Sequence, residues 1–217
     1  MDQVVAADPF EFHTRLTLTK LTRRVAADLA ELLHHLREVP LSVVFHHTHH
    51  FLVQHQELSP EPPNDFAYWV TNVLQEDLLG EQLAAVDTIR FANLSNLRDQ
   101  LVAIIEAHIE SEQRLRAAPP GEEFHFKDAV SVILPTGHSA RTVAELRAAI
   151  ATVGTASIAY HLFESRLRVG GEDNDLSLWL DRELGLRDVA RAVRQLDPYT
   201  HTLEGLRKIL LGVLPSQ

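Results

Sequence analysis

Near the start of the chain, Phe10, Phe12, Leu16 and Leu18 share one parity, and Glu11, His13, Arg15 and Thr17 share the other. Alternation of period two marks a half-buried strand, because successive side chains of an extended backbone point to opposite faces. The pattern returns at Phe124, Phe126, Val130, Val132 and Leu134, so two short strands are expected. Beyond each strand the apolar spacing becomes helical. Asp28 with Glu31, and Thr142 with Glu145, read as capping boxes in which a residue and its third neighbour satisfy each other's orphan amides. Pro40 and Gly154 end these first helices, and second helices follow from about Ser42 to Glu57 and from about Ala156 to Arg168. Asn64 and Asn174 are N-cap residues for third helices near Phe66–Asp77 and Leu176–Leu184, each with an aspartate next to the positive end of the helix dipole. Short helices are expected at Leu83–Val86 and Val189–Val193, and amphipathic helices close the two halves near Asn96–Arg116 and Leu203–Val213.

This order of elements occurs twice. Trp69 and Trp179 each stand five residues after an Asn-Asp pair, and Phe10–His50 aligns without a gap on Phe124–Glu164 at an offset of 114. Matched identities include Phe10/Phe124, Phe12/Phe126, Thr22/Thr136, Glu31/Glu145, Val39/Val153 and His47/His161. The expected fold is mainly α, a tandem pseudo-twofold duplication of a strand-plus-helices unit with two short strands. Residues 1–118 form the first repeat and 119–217 the second, the two packed as one globular unit. Ala117-Ala118-Pro119-Pro120-Gly121 reads as the linker between them.

With 217 residues, 45% of them hydrophobic, the chain is long enough to bury a sizeable core. No apolar run approaches the roughly 18 residues of a membrane span, and the start lacks the features of a signal peptide, which points to a soluble cytoplasmic protein without a membrane partner. The absence of cysteine removes disulfides, thiolate metal sites and thiol nucleophiles, so any metal must be held by His, Asp or Glu. A formal charge of −10 disfavours nucleic acid, whose phosphates call for Lys and Arg. Glycine-rich phosphate loops, nucleophile elbows and the His-Glu-x-x-His motif are absent.

Thirteen histidines remain as the outlying count. On a helical wheel, Leu41, Val44, Phe45, Phe51 and Leu52 form an apolar arc. Thr48 and His55 fall inside that arc, His47 lies at its edge, and His46, His50 and Gln54 lie opposite. His161 repeats the edge position in the second half, and Arg166 falls on the apolar arc. Residues three apart share a helix face, so His47 with His50 and His161 with Glu164 could together bind zinc, iron or manganese. An alternative is a ligand pocket without metal, built between the repeats around His47, His49, His55, His161, Glu164 and Arg166. A buried Arg166 would require a carboxylate, with Asp65 and Asp175 as candidates, or an anionic ligand. A third reading is structural: each edge histidine donates a ring hydrogen to a carboxylate or carbonyl, and Glu164 pairs with Arg168 at the surface.

The segments His47-Thr48-His49, Phe51-Leu52, Gln54-His55-Gln56 and Leu58-Ser59-Pro60-Glu61-Pro62-Pro63-Asn64-Asp65-Phe66 resemble a bacterial family of unknown function, as do His161, Phe163-Glu164, Arg166-Leu167-Arg168 and Leu196-Asp197-Pro198-Tyr199. The similarity spans essentially the whole chain. It implies no assigned activity and at most a carbohydrate-related context. The family pattern has an aromatic residue before His-Thr-His and a basic one after it, where this chain has His46 and His50. The sequence therefore points to a binding or regulatory protein for a small polar or anionic ligand. A metal-dependent enzyme and a purely structural polar core are the alternatives, and a homo-oligomer is left open.

Overall fold

The computed structural model describes residues 4–54, 64–88, 91, 93–112, 114–169, 173–197 and 200–215, without the side chains of 50–54, 168 and 169. Among the described residues the fold is mainly α, with one two-stranded antiparallel sheet. In chain order the elements are β1 (Phe10–Ala26), α1 (Leu29–Glu38), α2 (Leu41–Gln54), α3 (Asp65–Asn72), α4 (Asp77–Ala84) and α5 (Leu94–Ser111). Then come β2 (Phe124–Ala140), α6 (Val143–Thr152), α7 (Thr155–Ala159), a π-turn (Tyr160–Glu164), α8 (Arg166–Val169), α9 (Asp175–Arg182), α10 (Arg187–Arg194) and α11 (Leu203–Val213). None of the described helices is long and apolar enough to cross a membrane.

The strands are not short. Each runs for 17 residues, well past the Leu18 and Leu134 at which the clear alternation stops. Backbone pairing holds them extended where side-chain burial does not, since both are buried near their ends and exposed through their middles. Arg23 (φ 65°) and Gly137 (φ 77°), 114 positions apart, both adopt the left-handed conformation within the strands.

Among the described residues the chain divides into two compact units, and each takes its strand segments from both halves of the sequence. The N-terminal unit comprises residues from 17–54 and 64–130, and the C-terminal unit residues from 4–16 and 131–215. In the N-terminal unit, Leu29, Leu32 and Leu36 of α1, Phe66 and Val70 of α3, Leu79 and Leu83 of α4, and Leu97, Leu101 and Ile105 of α5 share a core with Phe124 and Phe126 of β2. In the C-terminal unit, Leu146, Ile150, Leu162, Phe163, Leu176, Leu180, Val193, Leu206 and Leu210 are buried, as are Phe10 and Phe12 of β1. Burying a side chain of this size contributes about 1.5–3 kcal/mol, so the phenylalanines fix these strand segments in place.

The caps follow the expected chemistry with one shift. Asn64 and Asn174 accept the amides of Ala67 and Ser177. Asp28 accepts from Glu31, but the Glu31 carboxylate reaches the amide of Ala27, one residue outside the cap. Thr142, Glu145 and Arg141 repeat that arrangement. The helix expected from Ala156 to Arg168 is interrupted by the π-turn, where the Ser165 amide donates to the Tyr160 carbonyl at 3.0 Å. α3 and α4 also break differently from the sequence reading, since α4 starts at Asp77 rather than near Leu83.

Candidate functional site

His47 projects from α2 into the N-terminal unit and is 2% exposed. Its Nδ1 lies 2.8 Å from an Asp65 carboxylate oxygen, and its Nε2 accepts the backbone N–H of Lys127 in β2 at 2.9 Å. An imidazole nitrogen that accepts an N–H carries no proton of its own. The geometry therefore assigns the neutral tautomer with hydrogen on Nδ1, donated to Asp65. Phe66 and Phe124 surround the ring, with centroids at 5.4 and 4.8 Å. Burial holds the His47 pKa below the ordinary imidazole value, outweighing the opposing hydrogen bond and charge of Asp65, and the Lys127 ammonium acts in the same direction as burial.

The C-terminal unit contains the same construction. His161, in the π-turn and 3% exposed, sits with Nδ1 2.8 Å from Asp175, and its Nε2 accepts the backbone N–H of His13 at 2.8 Å. The His13 carbonyl in turn accepts from the Ser157 hydroxyl at 2.7 Å. His13 and Lys127 stand 114 positions apart, as do His47 and His161. Trp69 donates its indole N–H to the Glu122 carbonyl and Trp179 donates to that of Asp8; the two acceptors are again 114 positions apart, the tryptophans 110. In each unit a helical histidine and a tryptophan thus hold the backbone of a strand segment, or of the residues leading into it, from the other half of the sequence.

Beside the His161 clamp lies a pocket of about 430 Å3. Its wall includes Asp8, Glu11 and His13 from the start of the chain, and Tyr160, His161, Asp175, Trp179, Arg182 and Glu183 from the second half. Four carboxylates against one guanidinium make it electronegative, while Phe10, Tyr160 and Trp179 supply aromatic surface. Glu183 is partly committed, since it accepts the Asp8 amide at 3.1 Å. Such a pocket can accept hydrogen bonds from a ligand's hydroxyls or ammonium groups, and it disfavours an anion.

Of the ligand and metal residues proposed from sequence, His161 alone among the described residues lines this pocket, together with Asp175, the aspartate considered as a partner of Arg166. His49 is 1% exposed, stacks on Phe45 with centroids 5.2 Å apart and lies 2.8 Å from the Thr48 hydroxyl. The pairing of Glu164 with Arg168 lies outside the described residues, and Glu164 itself is not at the surface. It is buried and forms an ion pair with Arg15 at 2.9 Å, because the π-turn directs it toward β1. Arg166 is buried as expected, but it donates to the Arg194 carbonyl at 2.6 Å, at the C-terminal end of α10, where backbone acceptors lack helical partners. Asp65 and Asp175, the aspartates considered for Arg166, face the two histidines instead.

The His50 side chain, the whole of His55 and the Arg168 side chain fall outside the described residues, together with most of the Pro- and Gly-rich loops and Pro198-Tyr199. The metal set His47, His50, His161 and Glu164 draws on both units, and within them His47, His161 and Glu164 have the protein partners just given. A different group, His46, His47 and Asp65, places potential ligand atoms within 4.8 Å of one another. The helical wheel puts His46 on the polar side of α2, yet it is 6% exposed. A cation there would have to displace one of the two hydrogen bonds of His47. His34, His35 and Glu38 form a second such group at the surface, but Arg24 donates to Glu38 at 2.8 Å and holds its carboxyl below the usual range.

Sequence reasoning missed the strand partners of the clamps, because a backbone N–H carries no residue signature. It could have found the His–Asp pairs. Each aspartate immediately follows the capping asparagine that marks the repeat, and each histidine occupies the same repeat position.

The model of a family of unknown function, DUF5752, matches residues 7–215. The chain belongs to this family. It is similar to a solved structure, that of OrfY from Thermoproteus tenax, with a TM-score of 0.82 and 32% sequence identity over 97% of this chain and 95% of that one. No curated protein matches.

Proposed function

We propose that this DUF5752 member is a cytoplasmic binding or regulatory protein, descended from a duplicated strand-plus-helices unit, whose ligand site is the electronegative pocket beside His161. The observation that carries this reading is the pocket itself, which combines the carboxylates of Asp8 and Glu11 with the aromatic surfaces of Tyr160 and Trp179. Its lining comes from both sequence repeats, as a site built at their junction requires. Carboxylates accept hydrogen bonds from ligand hydroxyls and ammonium groups and aromatic faces pack on C–H surfaces, so the fitting ligand is a small polar molecule, hydroxyl-rich or carrying an amine, and not an anion. The two His–Asp pairs serve as structural clamps rather than as acid–base groups, because both ring nitrogens of each histidine already have protein partners.

Calorimetric titration with neutral mono- and disaccharides, their phosphates and simple diamines tests the proposal. Neutral sugars or diamines should bind, and Glu11→Ala should weaken them about tenfold, the loss expected for one or two hydrogen bonds. Binding confined to sugar phosphates, or no binding by any member of the panel, would refute it. The metal-dependent alternative would require the His46, His47 and Asp65 group to take up zinc, iron or manganese stoichiometrically, with loss of uptake in His46→Ala.

A further inference from the structure

In the N-terminal unit, α1 gathers two imidazoles and a carboxylate at its C-terminal end. Glu38 stands four residues after His34 and three after His35, so both rings share a helix face with it. One ligand atom from each of the three lies within 4.8 Å of the other two. The side chains of His34 and Glu38 are 64% and 48% exposed, while the His35 ring stands edge-on to Phe126 with centroids 5.5 Å apart. A positive group already sits among these atoms. Nη1 of Arg24, near the end of β1, donates to a Glu38 oxygen at 2.8 Å and lies 3.2 Å from Nδ1 of His35. A guanidinium nitrogen cannot accept, so His35 turns a lone pair toward it, and one imidazole nitrogen and one carboxylate oxygen converge on a single cationic atom.

The second half of the chain serves as an internal control. At the offset of 114, the places of Arg24, His34, His35 and Glu38 are taken by His138, Ala148, Ala149 and Thr152. α6 nevertheless keeps the ten-residue length of α1, its side-chain N-cap and its buried Leu146 opposite Leu32. The helix therefore does not need the three ligands in order to fold or pack. We propose that His34, His35 and Glu38 form a binding site for a divalent transition metal of the zinc type, from which the metal displaces Arg24. Two nitrogens and one carboxylate oxygen match the ligands zinc takes, whereas calcium and magnesium prefer shells made of oxygen alone. Three protein ligands leave one position of a tetrahedral shell to water. Displacing Arg24 costs little, because its pair with Glu38 is exposed on both sides and water replaces the lost contact.

Calorimetric titration of the chelator-treated full chain with zinc chloride tests the site, with magnesium chloride as the comparison. Zinc should bind and magnesium should not. His34→Ala/His35→Ala should weaken zinc at least about tenfold, and Arg24→Ala, which removes the competing cation, should tighten it about tenfold. If loss of His35 from Phe126 unfolds the double variant, His34→Ala and Glu38→Gln change exposed side chains alone and should each weaken zinc about tenfold with unchanged circular dichroism. Zinc binding absent from both wild type and Arg24→Ala overturns the proposal. Uptake that survives in His34→Ala and Glu38→Gln but is lost in His46→Ala also overturns it, and assigns the metal to the buried group of His46, His47 and Asp65.

Discussion

Replacing His47 tests the clamp at the level of its separate bonds. In His47→Ala the Lys127 amide loses its acceptor, and an orphaned donor in this partly buried place costs about 1–3 kcal/mol. Asp65 is 43% exposed, so water replaces most of its lost hydrogen bond, and the cost there is below about 1 kcal/mol. The space left between Phe66, Phe124 and Phe126 adds about 2 kcal/mol of lost packing. His47→Ala should therefore destabilise the protein by about 3–6 kcal/mol. His47→Gln, whose side-chain carbonyl can reach the Lys127 amide, should recover about 1–2 kcal/mol of that loss.

A pH series adds an independent readout from the same residue. The folded pKa of His47 is depressed, and the unfolded value is about 6.5. Between those values the unfolded chain binds a proton that the folded protein does not. The stability from neutral His47 is thus fully present above about pH 6.5 and is lost as pH falls toward the folded pKa, at up to about 1.4 kcal/mol per pH unit. Urea denaturation of wild type and His47→Gln over this window should show a wild-type slope steeper by about one proton. Coincident slopes, or a His47→Ala cost below about 1 kcal/mol, would refute the assignment of His47 as a neutral, doubly bonded clamp.

Other outcomes follow from single contacts. Arg23→Gly should be neutral or stabilising by up to about 1 kcal/mol, and Gly137→Ala destabilising by about 1 kcal/mol, because both positions hold positive φ and nothing crowds a Cβ at Gly137; urea midpoints measure both. Arg15→Ala removes an ion partner of buried Glu164 and should cost about 3 kcal/mol, while Arg15→Ala/Glu164→Gln should cost less than the sum of the single changes in a double-mutant cycle. Trp69→Phe keeps most of the ring in the core but leaves the Glu122 carbonyl without its indole donor, which should lower stability by about 1 kcal/mol.

Much of this architecture is legible in one dimension because it depends on local chemistry. The capping asparagines, the breaks after α1 and α6, the helix over Leu203–Val213 and the inward-facing tryptophans all follow from periodicity and from side chains that bond within three or four residues. The length of the strands does not, because residues in the middle of a ribbon are held by backbone pairing while their side chains remain in water. Nor does the π-turn, which turns Glu164 away from the surface and toward Arg15.

The matched identities at an offset of 114 and the equivalent positions of His47 and His161 were legible in the sequence alone, since residue identity and spacing are enough to reveal them. Only the tertiary structure decided what those histidines do. Their partners are one carboxylate and one backbone amide, His13 or Lys127, brought to each ring by a strand segment from the other half of the sequence. A backbone N–H is common to every residue except proline, so no pattern of side chains could have marked it. The pocket beside His161 escaped the sequence for the same reason, since its walls lie about 150 residues apart along the chain and meet only through that pairing.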